Sequence, residues 1–311
     1  MTIRALRIVV KGNIFKHFFR KNVLIFTIYG IKHTNLYNII TFELEKKTKT
    51  FIFLIQNDIK RSQLMRLGVF GDIHGNIEAL EAVYKELTAK GCDKIVCTGD
   101  IVGYGASPAE CIDFIRTNSI ASARGNHDHY TTLPNFNEHI QPYAKKVIQW
   151  MQDTLDDSYI TWLNELPFMF QVEDSDILIV HSSLEAIEGA CWPYILDPQT
   201  AMFHFFLQNT QFCFYGHTHV PLYFSIERGL VEFELLTNRK LPKYTRKKYL
   251  FNPGSVGQPR DAIQMASSVI FDTDTLKLTL FRTKYDIESA QKKIFNSGLP
   301  KDLAYRLNTG R

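Results

Sequence analysis

The sequence predicts a mixed α/β protein in which two packed mixed β-sheets form a sandwich flanked by helices. Three observations predict it. From Met65 to about residue 125, short apolar runs alternate with segments of helical periodicity. From about residue 176 onward, apolar runs follow one another over short connections. Polar residues of one chemical kind recur where these runs end.

In chain order, "LGVFGD" (67–72) is a short apolar run bounded by glycine, the pattern of a buried strand. Ile77, Leu80, Val83, Tyr84 and Leu87 then recur at helical spacing until Gly91 stops them. "KIVCTGD" (94–100) is the next strand, "PAECIDFIRTN" (108–118) the next helix and "IASARG" (120–125) a third strand. Such a β-α-β-α-β series implies parallel pairing. A helical insertion over about 130–166 carries Val147, Trp150, Met151, Leu155, Trp162 and Leu163, read as packing residues. Runs at 176–182, 212–217, 221–226, 230–235, 248–255, 267–272 and 276–282 complete the strands, several of them antiparallel.

Composition bounds the function. Hydrophobic residues make up 45% and charged residues 22%, the balance of a globular protein. Residues 1–65 carry 12 Lys and Arg against 3 Asp and Glu, whereas the rest carries 24 against 29. The body is therefore acidic, which argues against a nucleic-acid surface. In the first segment Phe, Ile, Lys and Asn account for 31 of 65 residues. Its apolar run "VLIFTIYGI" (23–31) is far short of the ~20 residues that span a bilayer, and no A-x-A-like cleavage site follows. Residues 1–64 are expected to be an extension outside the fold or an over-early start, with the domain over 65–311. Five cysteines without a C-x-x-C pair suggest packed, reduced thiols and a cytoplasmic location.

Five strand ends carry residues of metal-ligand type: "GDIHGN" (71–76), "TGDIVGYG" (98–105), "RGNHDHY" (124–130), "VHSS" (180–183) and "GHTHV" (216–220). Each is ordinary alone; "GNHD" by itself is compatible with a turn. Together they place Asp, Asn and His at the exits of buried strands, where ligand sites form in sheets with crossover helices. Converging them there is costly unless a cation compensates. Oxygen and imidazole donors without thiolate suit Mn²⁺, Fe or Zn²⁺ rather than a structural zinc. A carboxylate bridging two ions gives the clamp used on phosphate esters, so the residues point to a binuclear hydrolase.

The ordered set D-x-H, G-D, G-N-H-D, H and G-H-x-H, from Asp72 to His219, resembles the calcineurin-like metallophosphoesterase superfamily. "GDIVGYG", "ARGNHD" and "NPGSVGQPRD" (252–261) are similar to its bacterial and archaeal phosphodiesterase-like members of the YfcE type. The resemblance implies the αββα metallophosphoesterase fold and two divalent ions, with Mn²⁺ expected and Fe, Zn²⁺ or Ni²⁺ as alternatives. It implies that Asp72, His74 and His219 hold one ion, Asn126, His181 and His217 the other, and that Asp100 bridges them. His127 would stabilise the transition state or protonate the leaving oxygen, with Asp128 as the candidate carboxylate that orients it. Protein phosphatases of the superfamily read G-D-x-V-D-R-G, but Gly103 and Tyr104 stand here in place of the Asp–Arg pair. Arg260 or Arg124 is then the candidate phosphate clamp, and Asn252 with Gly254 shapes a turn. The implied activity is hydrolysis of a small-molecule phosphate ester, led by a phosphodiesterase on small or nucleotide substrates. A phosphomonoesterase or dinucleoside-polyphosphate hydrolase is the alternative, and a non-catalytic scaffold on the same fold the contrasting class. The intact ligand set separates the enzymes from the scaffold. Nothing in the sequence fixes the oligomeric state.

Overall fold

The computed structural model describes residues 64–134, 142–185, 191–243 and 246–311, and of the first 63 only the backbone of five strands. Those strands are Arg4–Val10 (β1), Asn13–Asn22 (β2), Ile25–Thr27 (β3), Asn38–Leu44 (β4) and Lys47–Phe53 (β5), paired in the order β2-β1-β3-β4-β5. They belong to a unit, Met1–Arg61, that clusters apart from Ser62–Arg311. The rest of the expectation for residues 1–64 lies outside the described residues.

The second unit begins with Arg66–Phe70 (β6), Ile77–Ala89 (α1), Lys94–Cys97 (β7), Pro108–Thr117 (α2) and Ala121–Ser122 (β8). The three strands pair in parallel, in agreement with their alternation with helices. Asn76 starts α1 by accepting from the Ala79 N–H at 3.1 Å, and Pro108 opens α2, where its missing N–H is not needed. Helices Asn126–Thr132 (α3), Pro142–Thr154 (α4) and Asp157–Glu165 (α5) fill the insertion. Then follow Met169–Gln171 (β9), Ile177–Val180 (β10), Pro198–Leu207 (α6), Phe212–Phe214 (β11), Leu222–Glu227 (β12), Leu230–Leu235 (β13), Arg239–Lys240 (β14) and Lys248–Asn252 (β15). Ala266–Asp272 (β16), Lys277–Thr283 (β17), Ile287–Ser297 (α7) and Asp302–Leu307 (α8) end the chain.

Two six-stranded mixed sheets result, in the orders β14-β17-β16-β6-β7-β8 and β13-β12-β15-β11-β10-β9. Period-two alternation sorts their side chains into layers. Leu67, Val69, Val269 and Phe271 of the first sheet meet Ile179, Phe212, Phe214 and Phe251 of the second in one core. The opposite face of the first sheet takes Leu80, Val83, Ile112, Val147 and Ile294 from the helices. The opposite face of the second, through Cys213, Leu250 and Phe224, packs on Ala201 and Phe205 of α6. The layering is α/β/β/α. Because β6, β7 and β8 are parallel, and β10, β11 and β15 likewise, their C-terminal exits gather at one edge.

Candidate metal centre

The exits of β6 and β11 are tight loops whose backbone extends the pairing to a neighbouring strand exit. Asp72 N–H donates to Gly99 O at 2.9 Å, His74 N–H to Asp100 O at 2.9 Å and Gly216 N–H to His181 O at 2.8 Å. Five of the expected ligands sit in the left-handed region: Asp72 (φ 52°), His74 (49°), Asp100 (55°), His217 (67°) and His219 (61°). Non-glycine residues avoid that region, and such strain persists where surrounding structure over-determines it, as at functional sites. Glycine makes the approach possible: a Cβ on Gly103 (φ 118°) would lie 2.7 Å from His74 Nδ1 and 2.8 Å from His127 Nδ1.

The ligand atoms converge in two groups that share one residue. Asp72, His74, Asp100 and His219 form the first, and Asp100, His181 and His217 the second, with the atoms of each within 4.8 Å of one another. His74 Nε2 is 3.0 Å from His219 Nε2 and 3.6 Å from Asp100 Oδ2, and His219 Nε2 is 3.4 Å from Asp72 Oδ1. His181 Nε2 lies 3.3 Å from Asp100 Oδ2 and 3.1 Å from Asn126 Oδ1, which adds Asn126 to the second group. All seven sequence-predicted ligands therefore come together.

The imidazoles are held by backbone carbonyls on their far side. Nδ1 of His74 faces Val102 O at 3.2 Å, that of His181 Thr98 O at 3.1 Å and that of His219 Gln258 O at 2.6 Å, leaving Nε2 for the site. His217 is reversed: its Nε2 faces Trp192 O at 3.0 Å, so Nδ1 is the free donor. A carbonyl of this kind fixes tautomer and orientation in metal-binding histidines. Burial holds His74 and His219 well below their ordinary values and His217 at about 3, the neutral form that ligates. Burial drives the Asp72 carboxyl up to about 7. At Asp100 burial acts upward too, but His181 and His127 outweigh it and hold the carboxylate well below its ordinary range. His181 is raised to about 9, because the Asp100 charge outweighs its burial. Oxygen and neutral imidazole donors around one shared carboxylate fit two divalent cations.

His127 lies beside this cluster rather than in it. Its backbone N–H donates to Asp100 Oδ1 at 2.8 Å, and its ring packs against His74 (4.9 Å) and Tyr104 (4.5 Å). Its Nδ1 is buried and has no partner. Burial lowers its pKa to about 4.

Two expectations are corrected. Asp128 does not orient His127. Its oxygens accept the backbone N–H groups of Asp100, Ile101, Val102 and Gly125 at 2.9–3.1 Å, so the carboxylate clamps the loop after β7 onto the start of α3. Arg124 is not a phosphate clamp. Its guanidinium donates to Leu166 O at 2.9 Å and to Asn164, and stacks on Phe168 at 4.7 Å. Those partners, at the end of α5 and just beyond it, hold the guanidinium. Arg260 does come to the site, with Nη2 3.5 Å from the Tyr104 hydroxyl and 3.3 Å from Gln258 Oε1, and its Nε is buried without a partner. Asn252 shapes its turn as expected, accepting from the Gly254 N–H at 2.8 Å and donating to Gly216 O at 2.6 Å. Trp192 packs against His181 and Tyr194 against His217, and their only signal in the sequence is the aromatic pair in "CWPYILD" (191–197).

Two mixed sheets between helix layers, with Asp, Asn and His clustered at the strand exits, define a metallophosphoesterase architecture. The chain belongs to the calcineurin-like phosphoesterase superfamily, whose domain model matches residues 65–276. It is 36% identical over 246 residues to an uncharacterized protein of Methanocaldococcus jannaschii, covering 79% of this chain and 98% of that one. The crystal structure of a metallophosphoesterase from Sphaerobacter thermophilus superposes with a TM-score of 0.69 at 34% identity, over 80% of this chain and 100% of that chain. A symmetrical bis(5'-nucleosyl)-tetraphosphatase of Psychromonas ingrahamii is 27% identical over 120 residues, 37% of this chain and 43% of its own length. No helix among the described residues is long and apolar enough to cross a membrane.

Proposed function

We propose that this protein is a binuclear metal-dependent phosphoesterase, a phosphodiesterase acting on small or nucleotide substrates. The observation that carries the reading is Asp100: one buried carboxylate belongs to both ligand groups. Asp72, His74 and His219 would hold one cation and Asn126, His181 and His217 the other, with Mn²⁺ the ion that the family resemblance favours among those the donors suit. When bound, the two cations supply an acidified water as nucleophile and take up charge on the phosphoryl oxygens.

The chain's own groups do the rest. Arg260, held at the rim by Tyr104 and Gln258, offers N–H donors to a phosphoryl oxygen. His127, neutral in the free protein, would take up a proton from solvent as an anionic phosphate beside it raises its pKa, and that proton would be available to the leaving oxygen. Asp128 keeps the loop carrying Asp100 in register with the start of α3, where Asn126 and His127 sit. The five cysteines are all free, which supports a reducing, cytoplasmic setting.

Chelator-treated protein assayed on bis-p-nitrophenyl phosphate should turn over only after Mn²⁺ is restored, and more slowly on the monoester. No turnover of either ester would contradict the reading and favour the scaffold. The partial likeness to a dinucleoside tetraphosphatase favours one second reading, a dinucleoside-polyphosphate hydrolase. Diadenosine tetraphosphate in the same assay separates the two.

A further inference from the structure

Resting on that reading, we infer that Tyr194 is an aromatic platform at the rim of the metal centre that stacks a planar ring of the substrate, so that the preferred esters are those of nucleosides. The tyrosine lies on the described stretch 191–197, between β10 and α6, and that stretch is pinned at three successive points. Trp192 O accepts from His217 at 3.0 Å, Pro193 O from the Ser182 hydroxyl at 2.7 Å and Ile195 O from the buried Tyr215 hydroxyl at 3.0 Å. Ile195 is itself fully buried in the core beneath α6. The backbone on either side of Tyr194 is therefore fixed, yet the side chain is 51% exposed.

One face of that ring is already used. It stacks on the His217 imidazole with centroids 4.1 Å apart and an interplanar angle of 25°. The Tyr194 hydroxyl is among the groups that act electrostatically on the Arg260 guanidinium. The ring thus lies on a ligand of the second group, within the field of the expected phosphate clamp, and about half of the residue stays open to solvent on a ring whose stacked face is taken by His217. A flat ring held rigidly beside a phosphate site, with one face free, loses little entropy on accepting a second flat ring. Nucleobases stack on such rings without regard to base identity, at about 1–3 kcal/mol per base. The competing role is support: Tyr194 would only brace His217. Support predicts loss of metal and loss of every ligand alike, whereas a platform predicts loss confined to ligands that carry a ring.

Binding separates these roles without requiring turnover. The full-length protein and its Tyr194→Ala and Tyr194→Trp variants, each incubated with Mn²⁺ and analysed for bound metal, would be titrated with thymidine 5'-monophosphate and with methyl phosphate. The expected result is that the thymidine-over-methyl preference falls about tenfold or more in Tyr194→Ala, within the range of one lost stack, and survives in Tyr194→Trp. An unchanged preference in Tyr194→Ala, an equal loss of both ligands with loss of Mn²⁺, or a wild type without preference would each overturn the inference. A wild-type protein that shows the preference but hydrolyses no ester would overturn the phosphodiesterase reading and leave the platform standing.

Discussion

The two halves of the candidate metal centre are built differently. The half formed by Asp72, His74 and His219 has a carboxylate of its own, and all three residues are in the left-handed region. The half formed by Asn126, His181 and His217 has no carboxylate of its own: it offers two imidazoles and an amide at the start of a helix, and shares the Asp100 carboxylate. Cation affinity follows the count of charged ligands and the rigidity of the site. The first half should therefore keep its ion on its own charge, while the second depends on the bridge and exchanges more readily.

Breaking the bridge should have the largest effect. Asp100→Asn should lower metal content below two per chain and reduce turnover on the order of 10³-fold or more, measured by metal analysis beside kcat. His127→Gln should instead leave both ions bound and lower kcat for nucleoside esters by about 10²–10⁴-fold. Its effect on p-nitrophenyl esters should be smaller, because p-nitrophenolate leaves without a proton. Asn126→Ala sharpens the contrast between halves: about one ion should stay tight while the other weakens roughly 10–100-fold, read by chelator competition. Arg260→Ala should raise KM about tenfold more than it lowers kcat, since one charge-assisted contact to phosphate is lost.

Acidity probes the same contrast. His181, raised to about 9 by Asp100, must give up a proton before it ligates, so the second half should bind more tightly as pH rises from 7 towards 9. Asp72, at about 7, ionises earlier, and the first half should level off sooner. Equal pH profiles for the two ions would remove the distinction. A shortened chain beginning at Met65, where the family match begins, should keep its activity within about twofold.

The sequence made the ligands legible because each lies one to five residues beyond a strand of apolar pattern, and parallel strands put such exits together. It did not show which way a neighbour points. Asp128 follows His127 directly, but consecutive residues at the start of α3 diverge, and the carboxylate met four backbone donors instead. The helix itself was hidden: "NHDHYTT" is seven residues with no apolar period. For α6 the reason is the opposite, since "PQTAMFHFFL" is apolar on both faces and leaves Phe203 and Phe206 exposed while Ala201 and Phe205 are buried. The tilt of His217 towards a carbonyl of the 191–197 segment depends on a contact 25 residues away in sequence, which no local pattern carries.

Anomalous diffraction from crystals of the protein grown with Mn²⁺ tests the shared-carboxylate account most directly. Two peaks about 3.5–4 Å apart should flank Asp100, one within reach of Asp72, His74 and His219 and the other of Asn126, His181 and His217. A single peak, or two of which only one touches Asp100, would contradict it.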